Sequence, residues 1–459
     1  MNRPIDRERL WGLWRRTLSL SWPITIQHGF TTLMRTVDII VAGLFAPAYV
    51  TAIGLADLYG QIPLRIGLGL GAGSIALSSQ DTGREAQETR NRAITQAMLL
   101  GFLVGIPLIG LGILFSEFFI DVLGAEQNVI QLGATYLTLI LAASPLRIVG
   151  LVGARSLQGT GDTFTPMLVN GGASLFNAIA TVVLALGLGP VPRFGIIGIG
   201  LATLLARTVE AMAVTIAIAS PFTNPSFERP RSVLITRQLV EISIPNFAEG
   251  MSTSIANFPF NALLLLFGTE VTAAYHIGRR IYQQLTGPIY RAMNTVASIL
   301  VGQALGAGDP AKARYTGFGI AALSILTMSI AGGVLILGAR PIAGVFTSDP
   351  ETLGYAITFT KIFGVSMVSF GIFSPFAGSL RGAGDTRTPF YARAIGTFGS
   401  MLGLSYLLAV ILNWGLLGVY VGLLLSFIVW AIIVTGGFLW GDWAELAAGL
   451  MAERSEARV

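Results

Sequence analysis

Apolar residues along this chain come in long runs rather than in the period-two or period-3.6 stripes of half-buried strands and helices. From position 94 to 115 there is no charged residue at all. About 20 mainly apolar residues are enough to cross a hydrocarbon layer some 30 Å thick. Comparable runs, separated by polar breaks, predict spans at 19–45, 51–78, 93–115, 129–154, 165–187, 196–220, 240–267, 272–301, 315–338, 352–380, 389–412 and 416–440. Runs of this length suit helices, which satisfy their own backbone polar groups in lipid. The expected fold is therefore an all-α membrane protein with twelve transmembrane helices.

An even number of spans puts both termini on one side. With that side inside, the inner loops and termini hold 19 of the 29 cationic residues, Arg381 and Arg393 among them, and the outer loops hold only Arg193 and Arg340. This asymmetry is the positive-inside signal. It predicts a multi-pass protein of the cytoplasmic membrane with both ends in the cytoplasm.

The chain also repeats itself. Gly159-Thr160-Gly161-Asp162-Thr163-Phe164-Thr165-Pro166 returns as Gly382-Ala383-Gly384-Asp385-Thr386-Arg387-Thr388-Pro389, an offset of 223 that also carries Gln80 onto Gln303. Pro23 maps to Pro245 at 222, and Gly195 and Gly198 map to Gly415 and Gly418 at 220. Six helices fit in each repeat, so the halves share one orientation and are related by an axis along the membrane normal. The domain reading is a cytoplasmic segment 1–18, an N-lobe 19–220, a linker 221–239, a C-lobe 240–440 and a cytoplasmic tail 441–459. The repeated turn itself reads as structural: glycine for positive φ, Asp or Thr as a helix cap, and proline in the first turn.

Composition narrows the chemistry. The sequence is 53% hydrophobic and 12% charged, with a mean hydropathy of +0.70, against about 25% charged residues in an ordinary soluble domain. Its 56 glycines lie within apolar runs, where small residues let helices approach closely. There is no cysteine, which removes disulfides and thiolate chemistry. Residues 1–17 lack the apolar core of a cleavable signal. No catalytic constellation and no phosphate-cradling Gly-x-x-x-x-Gly-Lys motif occurs, so the chain is expected to be neither an enzyme nor driven directly by ATP. No cofactor, metal site or nucleic-acid partner is expected.

Polar residues within the spans are the functional candidates, because an intramembrane charge is costly to keep. Asp38 sits fifteen residues after Pro23, with Arg35 as a possible intrahelical partner. Asp57, Gln61 and Arg65 form a stripe spaced by four, able to line a cavity or to pair internally. Glu210 and Glu249 are each read as interfacial or cavity-facing. His276, Arg280 and Gln283 or Gln284 share a helix face; with only His28 besides, ordinary packing suits the histidines better than a metal. Cations at membrane depth outnumber acids, counting Arg147, Arg207, Arg279 and Arg291 with those already named.

The paired Leu-x-Gly-x-Gly-Asp-Thr-x-Thr-Pro turns, the Gln80 and Gln303 loops, and Trp22-Pro23 with Asp38 resemble the multidrug and toxic compound extrusion (MATE) family over nearly the whole chain. The resemblance implies two parallel six-helix lobes around a V-shaped central cavity. Within the family, Asp38 and Asn177 match the N-lobe acid and asparagine of the DinF-like branch, and Thr203 matches its helix 6 threonine. That branch usually has a second acid where this chain has Thr181. The helix 10 acid of the NorM branch is absent from 363–377. The implied ion-coupling set is Asp38, Asn177, Thr181 and Thr203, and the cavity set is Arg35, Asp57, Gln61, Glu249, His276, Arg280 and Gln284. The expected activity is H⁺-coupled, rather than Na⁺-coupled, export of small amphipathic or cationic compounds by a monomer in contact with membrane lipid. Movement of anionic lipid-linked precursors or organic anions is the alternative that the arginine excess favours.

Overall fold

A computed structural model describes residues 7–456, and all of its regular structure is helical. The α-helices are α1 (Arg7–Gly43), α2 (Pro47–Gly83), α3 (Gln87–Asp121), α4 (Gln127–Ala142), α5 (Ser144–Gly159), α6 (Phe164–Leu186), α7 (Ile196–Ala219) and α8 (Val233–Leu265). They continue as α9 (Thr269–Gly306), α10 (Pro310–Leu337), α11 (Ala339–Gly344), α12 (Pro350–Ala383), α13 (Arg387–Ala394), α14 (Leu416–Trp440) and α15 (Trp443–Glu456). Between α13 and α14 the chain winds as π-helix over Ile395–Leu404 and Leu407–Ile411.

Among the described residues, eight segments are long and apolar enough to cross a membrane, or nine if the bent pair α4 and α5 counts as one span. That pair turns through 47°, where Ala143 is followed by Ser144-Pro145 and the proline removes an amide donor. Helices α1, α8 and α9 run for 37, 33 and 38 residues, ample for a crossing, but polar side chains interrupt their apolar character. Leu99, Phe102, Leu103, Ile113, Leu114 and Phe118 on α3 are all exposed. An apolar band of that extent suits lipid and not water. The protein is an integral, multi-pass, all-helical membrane protein.

Several ends differ from the apolar runs. Helix α1 starts at Arg7, within the expected 1–18 segment, and α8 starts at Val233, within the expected linker. The tail from 441 contains α15, and the short α11 had no signal of its own. A helix outside the hydrocarbon needs no apolar run, so hydropathy marks the buried part of each helix and not its length.

The repeated turn behaves as its composition requires. Gly161 and Gly384 have φ of +94° and +96°, the left-handed region glycine tolerates. Asp162 Oδ1 accepts from the amides of Phe164 and Thr165 at 3.1 and 2.9 Å, and Asp385 Oδ1 accepts from the Thr388 amide at 3.0 Å. Asp309 and Asp349 cap α10 and α12 in the same way, each 2.8 Å from an amide and followed by proline. The Thr352 hydroxyl and amide bonds hold the exposed Asp349 carboxyl below its ordinary value.

The chain forms two compact units. The first is Ile26–Ser243 with the chain from Arg454 onward; the second is Ile244–Glu453 with the chain up to Thr25. In the second unit the Trp14 indole donates to the Gly319 carbonyl at 2.8 Å, and Ile24 is buried among Ala292, Val296 and Ile320. The core of the first unit gathers Ala52, Ile53, Tyr136, Leu137 and Ile199. The larger core of the second is aromatic, with Tyr275, Tyr282, Phe363, Phe370, Phe427 and Trp430 in mutual ring contact.

Candidate functional site

Inside the first unit, α1, α6 and α7 bring four polar residues together. Asp38, on α1, is 5% exposed, and Asn177 and Thr181, one turn apart on α6, are fully buried. The Thr181 hydroxyl donates to Asp38 Oδ1 at 2.8 Å. With the Asn177 amide oriented to suit its neighbours, its Nδ2 donates to the same oxygen at 3.2 Å and its oxygen accepts from the Thr203 amide at 3.2 Å. Arg35 is exposed and forms no ion pair with Asp38, so the intrahelical pairing open to the sequence is not made. Asp38 is held by neutral donors and has no second carboxylate among its hydrogen-bond partners.

One level away on the same helices lies a second polar group. The Thr31 hydroxyl donates to Asn170 Oδ1 at 3.2 Å, and Asn170 Nδ2 donates to Glu210 Oε1 at 2.9 Å. Arg207 Nη1 pairs with Glu210 Oε2 at 2.5 Å. Glu210 is thus a buried, paired acid, not an interfacial one. Asn170 carried no weight in the sequence, although its spacing of seven from Asn177 puts both on one face of α6.

On α2, Asp57, Gln61 and Arg65 are each half-buried. Arg147, from α5, donates to the Gly60 carbonyl at 2.9 Å, and Arg35 and Arg147 are the cations whose charge acts on Asp57. Three acids, Asp38, Asp57 and Glu210, therefore lie within the first unit together with Arg147 and Arg207, with Arg35 exposed on α1 nearby.

In the second unit Glu249, from α8, is 7% exposed and lies between two guanidinium groups. Arg381 Nη2 is 2.5 Å from Glu249 Oε2, and Arg393 Nε is 3.5 Å from Oε1. Arg381 also donates to Asn294 Oδ1 at 3.1 Å, and Arg393 stacks 4.1 Å over Trp430. Both arginines counted as inside-loop charges in the sequence. In the structure their side chains are 13% and 17% exposed and serve a buried acid. Their partner lies more than 130 residues away in sequence, beyond the reach of local charge counting. Arg454 departs likewise, being buried against Asp81, while Arg3 and Arg458 lie outside the described residues.

His276, Arg280 and Gln284 occupy one exposed face of α9 at intervals of four. The neighbouring Arg279 turns inward to Asn257 Oδ1 at 3.0 Å. The nominated residues thus fall into separate places. Asp38, Asn177, Thr181 and Thr203 converge, Asp57 and Gln61 lie along α2, Arg35 is exposed on α1, Glu249 has its own arginines, and the α9 trio lines one surface. Among the described residues no group of His, Cys, Asp and Glu is placed to hold a metal ion.

The internal repeat shows what is particular to each unit. The offset of 222 carries Asp38 onto Phe260, and that of 220 carries Thr203 onto Leu423, both buried in the second unit's apolar core. Gln27 and Gln158, joined by a 3.2 Å amide hydrogen bond, correspond to Glu249 and Arg381. Asp38 and Thr203 thus face apolar counterparts, and the neutral Gln27 and Gln158 face charged ones.

A family model, MatE, matches residues 23–183 and again 245–407, the two halves of the repeat. A "Probable multidrug resistance protein NorM" of Thermotoga maritima is 24% identical over 456 residues, 98% of this chain and 97% of that protein. Another protein of that name, from Bradyrhizobium diazoefficiens, is 27% identical over 430 residues, covering 90% of this chain and 91% of its own. Among solved structures, "Crystal structure of MATE in the bent conformation" superimposes with a TM-score of 0.86 at 20% identity, covering 96% of this chain and 97% of that one. The same fold, and a family model matched in both halves of an integral membrane chain, lead to one conclusion: this chain belongs to the MatE family, whose members are membrane transporters and not enzymes.

Proposed function

We propose that this protein is a proton-coupled antiporter that exports amphipathic or cationic organic compounds across the cytoplasmic membrane, working as a monomer by alternating access. In this reading α1, α8 and α9 also cross the bilayer, the helices make up twelve spans in two parallel six-helix lobes around a V-shaped cavity, and both termini are cytoplasmic. The relatives, matched over almost the full length of this chain, carry the name "Probable multidrug resistance protein", which supports the substrate class. They lend nothing to export of anionic lipid-linked precursors. The match of Asp38, Asn177 and Thr203 to the DinF-like pattern, with no helix 10 acid in 363–377, supports membership of that branch.

The observation that carries the reading is Asp38, buried and bonded to Thr181 and Asn177 with Thr203 behind them. Coupling needs a ligand whose affinity differs between two access states. A buried carboxyl whose hydrogen-bond partners are all neutral is not locked into an ion pair, so it can hold or release a proton. Na⁺, a hard cation, favours several oxygen ligands with added negative charge, and Thr181 removes one such charge. A proton moving down 100 mV supplies about 2.3 kcal/mol, enough to drive modest accumulation of substrate. No cofactor takes part.

The test is ethidium transport in liposomes reconstituted with the protein, under an imposed pH gradient or an imposed Na⁺ gradient. Transport should follow the pH gradient and vanish in Asp38→Asn, with folded protein retained. Wild-type rates in Asp38→Asn, or transport driven by Na⁺ alone, would overturn the reading.

A further inference from the structure

Thr31, Met34 and Asp38 on α1, Asn170, Asn177 and Thr181 on α6, and Thr203, Arg207 and Glu210 on α7 are spaced by three, four or seven. Such spacing puts each trio on one helix face. The three faces meet in a column with two hydrogen-bonded levels, one at Asp38 and one at Glu210. Seven residues of helix separate Asp38 from Thr31, a rise of about 10 Å.

Arg207 stands between the levels. Its Nη1 pairs with Glu210, while its Nη2 lies 3.9 Å from the sulfur of Met34, one turn along α1 from Asp38. The other charged or titratable groups around the two levels are Arg35 on α1, Asp57 on α2, Tyr136 on α4 and Arg147 on α5.

The fold itself does not require this pair. The offset of 220 carries Arg207 onto Phe427 and Glu210 onto Trp430, and in the second unit those rings pack at 4.7 Å. A buried ion pair is commonly no more stabilising than apolar residues of like volume. Retaining this pair at positions the other half fills with packed rings therefore points to a task other than stability.

We propose that Arg207 is a shuttling counter-charge, paired with Glu210 alone while Asp38 holds its proton and shared with Asp38 once that proton has left for the aqueous phase. The proposal rests on Asp38 being the coupling acid. Ionised Asp38, Asp57 and Glu210 balance Arg35, Arg147 and Arg207; protonating Asp38 leaves one positive charge in excess, and its release draws Arg207 along α7 toward α1. Arg207 and Glu210 are positioning residues, since neither receives the transported proton.

The experiment is pH-difference infrared spectroscopy of the purified protein in liposomes, following the protonated carboxyl band that Asp38→Asn removes. Glu210→Gln frees Arg207 for Asp38 and should lower the pH at the band's midpoint by about one unit, tenfold in proton concentration. Arg207→Gln should raise it by a similar amount. The double variant should return near wild type, and Arg207→Lys should preserve the wild-type midpoint if the single neutral variants fold poorly. Midpoints unchanged in both single variants, or shifted the same way, would overturn the proposal while leaving Asp38 in its role. A band that survives intact in Asp38→Asn would instead remove the coupling reading, and the counter-charge with it.

Discussion

Arg454 and Asp81 form an ion pair at 3.1 Å in which neither side chain has any solvent exposure. The same guanidinium donates to Gln80 and Gln238 at 2.9 and 2.7 Å. The offset of 222 carries Arg16 onto Gln238, and in the second unit Arg16 donates to Gln303, the repeat counterpart of Gln80. Arg454 thus gives the first unit what Arg16 gives the second. Breaking a buried pair from one side costs about 3 to 5 kcal/mol. Arg454→Ala is predicted to lower the thermal unfolding midpoint clearly, and Arg454→Ala with Asp81→Asn to lower it less. Detergent-solubilised protein followed by size-exclusion chromatography after heating measures both; equal midpoints for wild type and Arg454→Ala would refute the prediction.

A similar asymmetry is predicted at Glu249. Glu249→Gln strands two buried arginines and should destabilise by about 3 to 5 kcal/mol on the same reasoning. Installing the other half's pair, Glu249→Gln with Arg381→Gln, should recover part of that loss, because Gln27 and Gln158 already form such a bond in the first unit. If the double variant is the less stable of the two in the heating assay, the repeat equivalence is a poor guide to this cluster.

Thr181 offers a gain of function. Thr181→Asp puts a second carboxylate beside Asp38 and should make transport respond to an imposed Na⁺ gradient, as hard-cation ligation favours charged oxygen. Thr181→Val keeps the shape, removes the hydroxyl donor and should cost about 1 kcal/mol or more in the buried bond. Liposome uptake with Na⁺ or choline as the only varied ion tests the first variant; identical uptake in the two salts would count against it.

Orientation is testable because the chain has no cysteine. Gln87 is exposed at the start of α3, and Pro190 is exposed in the loop after α6. Pro190 suits the purpose better than the adjacent Gly189, whose φ of +71° disfavours a side chain. An impermeant thiol reagent on intact cells should label Pro190→Cys and spare Gln87→Cys. The reverse pattern would invert the predicted topology.

The sign of the substrate bears on Arg280. If the exposed face of α9 meets an anionic substrate group, Arg280→Gln should weaken transport of anions severalfold and spare cations, since charge-assisted contacts are the stronger ones. Parallel uptake assays with an anionic and a cationic dye separate the cases. Equal loss of both would assign Arg280 to structure.

What could be read from the sequence followed the range of the interaction involved. The apolar runs marked most helices because lipid burial is a property of consecutive residues, and Asp38 stood out as a lone acid in such a run. Thr181 and Asn177 came from a family pattern, and the structure puts them against Asp38. The bend after Ala143 and the π stretches left no hydropathy mark, since backbone winding changes no side chain's polarity. The Glu249 cluster and the Arg207–Glu210 pair were hidden for different reasons. The first joins residues from distant helices; in the second, the spacing of three was visible but nothing indicated that it faced inward.

The π winding after α13 has a consequence for how that helix can move. Hydrogen bonds there reach five residues back rather than four, so each hydrogen-bonded ring encloses one residue more than an α ring does. Rewinding a turn over Ile395–Leu404 releases that residue, rotating the Arg393 end relative to Leu416 without stretching the chain. Its repeat counterpart, the regular helix α6, has no such slack, so amide hydrogen exchange should be faster along the π segment than along α6.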